Sequence, residues 1–324
     1  MLCAPTIGGT RLARPRSMRA PRVLVGVDFS PESDLASRQA VEIARHIGGD
    51  VVLAHCGETV ELPQLGDKAT AAGRKAFEAY RAELAAALTA RREQLATLRE
   101  RLSGQGAIVS QTMCEGFPDT ALCRAGDELE ADLLVVGTHG RTGLRWFLLG
   151  SIAEQVVRQS TVDVLVARRE GTGRGGYERI LVATDFSSTA ERALDRALEV
   201  AATGAQVDVV HFFGLRLASQ FVSGVAMAPP GPPDQLELEI AASARERGEE
   251  LLAPRRGASV KLSFHALPGT PIPGIVHRLE GAPYDLAALG SHGRRGFRRF
   301  AFGSVAETVV HRASCSVLVA RSRS

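Results

Sequence analysis

Short, wholly apolar runs alternate along this chain with longer stretches whose apolar positions recur every three to four residues. The first kind predicts strands buried on both faces, the second predicts helices that turn one side to a core. In the N-terminal half, strands are predicted at 23–27, 51–55, 107–113, 132–137 and 162–167. A helix follows the first strand: Ser30, Pro31 and Glu32 read as its N-cap, first position and acidic first turn, and Gly48 and Gly49 stop it after residue 47. Residues 68–102, rich in Ala, Glu, Arg and Leu, predict one long amphipathic helix, with further helices at 119–130 and from 151 to 159. The C-terminal half repeats the order, with strands near 179–184, 206–212, 259–266, 285–290 and 316–320. The predicted fold is therefore α/β: two tandem doubly wound domains, each a five-stranded mainly parallel sheet with helices on both faces. Ligands of such sheets sit at the carboxyl ends of the strands, where the strand order reverses.

The duplication is visible residue by residue. RVLVGVDFS at 22–30 returns as RILVATDFS at 179–187, an offset of 157. VVGTHGRTGLRWFLLGS at 135–151 returns as ALGSHGRRGFRRFAFGS at 288–304, and DVLVAR at 163–168 as SVLVAR at 316–321, both at an offset of 153. Three matches in the same order mark an internal repeat. The domains are accordingly drawn at 21–169 and 177–324, with the polar, glycine-rich stretch 170–176 as a flexible linker. Residues 1–20 carry four arginines and no acid; they are expected to be a disordered tail or a misplaced start, since Met18 lies just before the first strand and the apolar stretch of a secretory signal is missing. The Gly- and Pro-rich region 215–234 is expected to be a loop, with a lid over the site as the sharper alternative.

Chemistry concentrates at the strand ends. Gly137 and Gly140, then Gly150 and Ser151 opening a helix, are matched by Gly290, Gly293, Gly303 and Ser304. Glycines let backbone approach a ligand, and a helix N-terminus presents unpaired N–H groups suited to phosphate. A structural turn before a capped helix is the plainer account of either copy. Asp28 and Asp185 close the first strand of each half; each can hold a ribose hydroxyl or help place a metal, or it can cap the next helix in competition with Ser30 and Ser187.

Composition narrows the classes. Hydrophobic residues at 45% and charged residues at 23% fit a globular protein, and no apolar run reaches the roughly 18–20 residues of a membrane span, so no membrane association is expected. A net charge of +3 is too small to imply nucleic acid; Arg294, Arg295, Arg298 and Arg299 form a basic cluster better suited to a solvated face or to nucleotide phosphates. Five cysteines without metal-site spacing fit a reduced, cytoplasmic setting, most of them as small buried hydrophobes, and no metal ligands are expected.

Together these motifs resemble the universal stress protein family, in its tandem two-domain, ATP-binding form. The resemblance implies one ATP site, with magnesium accompanying the nucleotide, lined by Asp28, Cys56, Val136, Gly137, His139, Gly140, Arg141, Gly150, Ser151 and Ile152. A second would be lined by Asp185, Phe212, Leu289, Gly290, His292, Gly293, Arg294, Gly303, Ser304 and Val305. Cys56 and Phe212 would pack on the base, where the family usually has valine; the larger Phe212 points to a weaker second site. Gly26 and Ala183 stand where the family often has proline. The resemblance also implies pairing of the two halves through their final strands, with a homodimer as a further step, and a role as a stress-response sensor or regulator. No catalytic residue is expected: there is no GxxxxGK[ST] loop and no GxSxG elbow, and His55 and His211 at strand ends read as structural. Slow ATP hydrolysis or phosphotransfer at the same sites is the alternative, and a scaffold that has lost its ligand is a third.

Overall fold

The computed structural model describes residues 19–57, 70–138, 149–168, 176–214, 235–257, 259–291 and 302–322. The linker stretch 170–175, the Gly- and Pro-rich region 215–234, and His139, Gly140, Arg141, His292, Gly293 and Arg294 lie outside the described residues.

The first half runs β1 (Arg22–Gly26), α1 (Pro31–Ile47), β2 (Asp50–Gly57), α2 (Ala71–Ser103), β3 (Ile108–Glu115), α3 (Pro118–Glu128), β4 (Leu133–Gly137), α4 (Ser151–Gln159) and β5 (Val164–Ala167). The second runs β6 (Tyr177–Ala183), α5 (Ser188–Glu199), β7 (Ala201–Phe213), α6 (Gln235–Leu252), a 3₁₀ turn (Ala253–Arg255), β8 (Lys261–Pro268), α7 (Pro271–Gly281), β9 (Leu286–Gly290), α8 (Ser304–Arg312) and β10 (Ser316–Ala320). The capping signals act as read. Ser30 is extended and its hydroxyl accepts from Ser33 N, Pro31 opens α1, and Gly48 closes it at φ +67°. Ser187 caps α5 through Ala190 N in the same way.

Strand order in each half is 3-2-1-4-5, all parallel, so the order reverses between β1 and β4 and between β6 and β9. The two five-stranded sheets are not separate. β5 and β10 pair antiparallel, Val166 with Val317, Leu165 with Leu318 and Val164 with Val319, giving one ten-stranded sheet with β3 and β8 at its edges. Each half thereby covers the apolar last strand that would otherwise be an open edge on the other. Alternate strand residues feed two cores: Val23, Val25, Val51 and Leu53 face α1 and α2, and Leu24, Val52, Leu134 and Val164 face α3 and α4. Both cores continue across the seam into the second half.

Two elements differ from expectation. α2 is helical throughout, but only Leu95, Leu98 and Leu102 are buried, so it is amphipathic only in its last turns; strong helix formers, not packing, carry the rest. β7 begins at Ala201, five residues early, beside a register shift between Tyr177 and Arg179.

The seam is chemically lopsided. Asp163, fully buried, accepts from Arg192 Nε (3.0 Å) and Nη2 (2.5 Å), from Arg196 Nε (2.8 Å) and from the backbone N–H of Arg321 (2.8 Å). By the repeat offsets, Gln39 stands in the first half where Arg196 stands in the second, and Ser316 stands where Asp163 stands. There Tyr177 Oη donates to Gln39 Oε1 (3.0 Å) and Ser316 Oγ accepts from Arg168 N (3.2 Å). One side of the pseudo-twofold is ionic, the other neutral.

Candidate functional site

The turn that leaves β1 is held from three sides. Asp28 Oδ1 accepts from Ser30 N (3.0 Å) and Ser30 Oγ (2.6 Å), while the same hydroxyl caps α1. Between them Phe29 sits at φ +64°, a left-handed conformation that a bulky residue rarely adopts. Phe29 is steadied by the His55 ring at 4.8 Å and the Arg91 guanidinium at 5.5 Å. His55 Nδ1 lies 2.6 Å from Val27 O; a carbonyl only accepts, so Nδ1 carries the proton. The second half repeats most of these contacts, with the Ser187 hydroxyl paired to Thr189 Oγ1 (3.1 Å). Asp185 Oδ1 accepts from Ser187 N (3.0 Å), Phe186 has φ +61°, His211 donates to Thr184 O (2.8 Å), and Arg247 lies 4.5 Å from the Phe186 ring. Both aspartates therefore hold the strand-to-helix turn, both serines cap, and both histidines lock one strand end to the next.

Across the reversal point lie β4 and β9. A Cβ on Gly137 would come within 2.8 Å of the Glu32 carbonyl, and one on Gly290 within 2.6 Å of Thr189 Oγ1 and 2.9 Å of Ala190 N. The first glycine of each pattern is thus required by the close approach of the α1 or α5 N-terminus. Each helix start is tied back to its strand: Gly150 N donates to Thr138 O (2.7 Å) and Gly303 N to Ser291 O (2.9 Å). α4 and α8 then start at Ser151 and Ser304, both exposed, with Gly150 and Gly303 at the N-cap and no side-chain cap bond. The Gly150 and Gly303 bonds set both helix starts at the carboxyl ends of β4 and β9, the edge of the sheet at which Asp28 and Asp185 follow β1 and β6. That donor set fits a polyphosphate: backbone N–H groups, a serine hydroxyl, and the positive end of a helix. Ile152 is exposed and Val305 half-buried behind these serines.

The residues that the resemblance places on the base are more enclosed. Val136 and Leu289 are 4% and 3% exposed and belong to the core under α3, α4, α7 and α8. Cys56 is half-buried at the end of β2, directly beside Cys114 of β3. The hydrogen bond to Cys114 and then burial push the Cys56 thiol far above its ordinary range, while Cys114 is lowered by that same bond and by Arg124 against the effect of burial. Phe212 lies on α7 where Gly274 leaves room: a Cβ there would be 2.1 Å from the ring. The counterpart pair in the first half is Cys56 and Ala121, so a larger strand residue is matched by a smaller helix residue.

Three further features escaped a reading along the chain. Glu154 of α4 and Glu307 and His311 of α8 bring ligand atoms within 4.8 Å of one another across the seam, but Arg158 already bridges the two glutamates. In the second half, Asp208 accepts from Ser263 Oγ (2.5 Å), Tyr284 Oη (2.9 Å) and Gln206 Nε2 (3.3 Å), with His265 Nε2 at 3.5 Å. The third is a groove of about 760 Å³ on the α1/α2 side of the β1 turn, lined by Phe29, Ser30, Asp34, Gln94, Leu98 and Arg101. Among the described residues no helix is long and apolar enough to cross a membrane.

Comparison with known proteins agrees with the repeat. A universal stress protein of Mycobacterium tuberculosis is 35% identical over 158 residues, covering 48% of this chain and 48% of that protein, so the match spans about half the relative's length. A second from the same organism is 37% identical over 145 residues, covering 44% of this chain and 93% of the relative. One from Methanocaldococcus jannaschii is 24% identical over 161 residues, 48% of this chain and 99% of its own. The crystal structure of a universal stress protein from Archaeoglobus fulgidus shares the fold at a TM-score of 0.62 and 20% identity, over 93% of this chain and 98% of that one. The universal stress protein family model itself matches twice, at residues 20–168 and 176–321. The chain belongs to the universal stress protein family, carrying two tandem copies of its domain.

Proposed function

We propose that each half binds an adenine nucleotide, ATP with its magnesium, at the carboxyl edge of its sheet, and that occupancy of the two sites makes the protein a sensor or regulator in a stress response. The observation that carries this is the pairing, at both reversal points, of a strand-end aspartate with a helix N-terminus that has no side-chain cap. In the first half the N–H groups at the start of α4 and the Ser151 hydroxyl would take the phosphates, with His139, Gly140 and Arg141 supplied by the preceding segment. Asp28 would take the ribose hydroxyls, and Cys56 with Val136 would border the base. Asp185, Phe212, Leu289, Gly290, His292, Gly293, Arg294, Gly303, Ser304 and Val305 play the matching parts in the second half. Bound ATP supplies the phosphates that carry magnesium. A helix N-terminus stabilises a charge by about 0.3–1 kcal/mol, so micromolar affinity needs the glycine segment and the base pocket as well.

Calorimetric titration of the whole chain with Mg-ATP tests it. About two sites per chain are expected, the second weaker, and Asp28→Ala or Asp185→Ala each removes one. The absence of both heat and a thermal shift would refute nucleotide binding; heat that both alanine variants leave unchanged would refute these positions.

A further inference from the structure

Cys56 and Cys114 are register partners on the adjacent parallel strands β2 and β3. Neighbouring strands run about 4.8 Å apart, within the Cα separations of roughly 4.4–6.8 Å that a disulfide spans. Both side chains leave the sheet on the same face and pack against the same core. Both are half-buried, so a small oxidant can reach them; Cys315, by contrast, is 1% exposed in the core. Among the described residues β3 is an edge strand, paired on one side only, and can adjust to the geometry of a covalent link. The Arg124 side chain is anchored to Glu115 O (2.6 Å) beside the pair and favours the charged form of both thiols. The second half has Phe212 and Leu267 at the corresponding register positions, so the pair belongs to the first half alone.

We propose that Cys56 and Cys114 form a peroxide-oxidised dithiol whose disulfide staples edge strand β3 to β2. Cys114 is the attacking sulfur, because Arg124, anchored on the carbonyl of the adjoining Glu115, stands beside it and favours its thiolate. Its thiolate attacks one peroxide oxygen and the O–O bond breaks; the leaving hydroxide takes a proton and departs as water, leaving Cys114 as a sulfenic acid. Cys56 then attacks the sulfenic sulfur. The S–O bond breaks, the S–S bond forms, and the released hydroxide takes the Cys56 proton to give a second water. Two thiols have given up two electrons, and one hydrogen peroxide has become two waters. Cys123, on α3 nearby, is held as a thiol by burial, its pKa pushed up to about 11, and takes no part. Cys56 is shared with the proposed base pocket, so the oxidation is read on nucleotide-free protein, where it does not depend on that pocket being used.

The test is oxidation of the full-length, reduced protein with hydrogen peroxide at near-stoichiometric amounts, followed by thiol titration and peptide mapping. Two of the five thiols are expected to disappear, with one bridged peptide joining Cys56 to Cys114 and full recovery on reduction. Cys56→Ser should leave a sulfenic acid at Cys114 that a dimedone probe captures. Cys114→Ser should abolish both products, and Cys123→Ser should change neither. Five intact thiols, a bridge from either residue to Cys123 or Cys3, or direct passage of Cys114 to sulfinic acid would each overturn the proposal. The mapping on unsubstituted protein decides the matter even where a variant fails to fold.

Discussion

Replacing Asp163 with serine tests whether the seam is held by its ionic half. The substitution removes the acceptor of three guanidinium hydrogen bonds and one backbone bond, and leaves Arg192 and Arg196 facing a neutral, buried pocket. Breaking a buried ion pair by removing one partner destabilises by about 3–5 kcal/mol. The Arg192 and Arg196 side chains keep 19% and 11% exposure, and Arg196 retains Glu199 and the Asp132 carbonyl, which places the expected loss at the lower end, about 3 kcal/mol. The opposite side of the same seam supplies the control. There Ser316 and Gln39 occupy the positions of Asp163 and Arg196, and Leu35 that of Arg192. The triple change Asp163→Ser, Arg192→Leu, Arg196→Gln therefore copies a neutral arrangement that the fold already accommodates, and should return stability to within about 1 kcal/mol of the original. Urea unfolding followed by circular dichroism measures both. If Asp163→Ser falls within about 0.5 kcal/mol of the original, or the triple variant is no more stable than the single, the cluster is not what holds the halves together.

Three other outcomes follow from the geometry. Gly137→Ala and Gly290→Ala force a Cβ against the α1 or α5 N-terminus and should each destabilise the nucleotide-free protein by about 1–3 kcal/mol in thermal unfolding; unchanged stability would return these glycines to a purely ligand-binding role. Burial pushes the Asp208 carboxyl up, but hydrogen bonds from Ser263, Tyr284, Gln206 and His265 outweigh it, so its folded pKa lies below the ordinary value. The stability it contributes is complete above the unfolded pKa near 3.9 and is lost as pH falls through the lower folded one. Asp208→Asn should therefore weaken the protein at neutral pH and flatten its acid unfolding between roughly pH 5 and 2; an unchanged acid profile would oppose this. Gly274→Ala should lower the melting temperature by colliding with Phe212, and adding Phe212→Cys, which copies the Cys56–Ala121 pair, should restore it.

Local signals were legible along the chain and long-range ones were not. Ser30, Pro31, Gly48 and Ser187 fix helix ends through contacts within a few residues, and the structure places them where their chemistry predicts. The α/β fold followed from strands apolar on both faces, because only a helix-covered parallel sheet buries both. Asp28 was readable as a strand-end acid, yet its bonds to Ser30 show that it also serves the turn. Gly137 and Gly290 signalled close approach; the partner that approaches, Glu32 or Thr189, depends on how α1 and α5 dock on the sheet. The Cys56–Cys114 pair depends on the register of β2 against β3, fixed by packing and written nowhere in the spacing of 58 residues. The Asp163 cluster was hidden for the same reason, with the added difficulty that its counterparts in the repeat are uncharged.

The antiparallel join of β5 to β10 has a vectorial consequence. Parallel strands give each half a direction, and the join sets the two directions opposite, so the two reversal points open at opposite rims of one slab. Four strand spacings, about 19 Å, separate them across the sheet, and a strand length of roughly 17 Å separates them along it. The two reversal points of one chain therefore face opposite ways on a single ten-stranded sheet, and the repeat supplies them one to one.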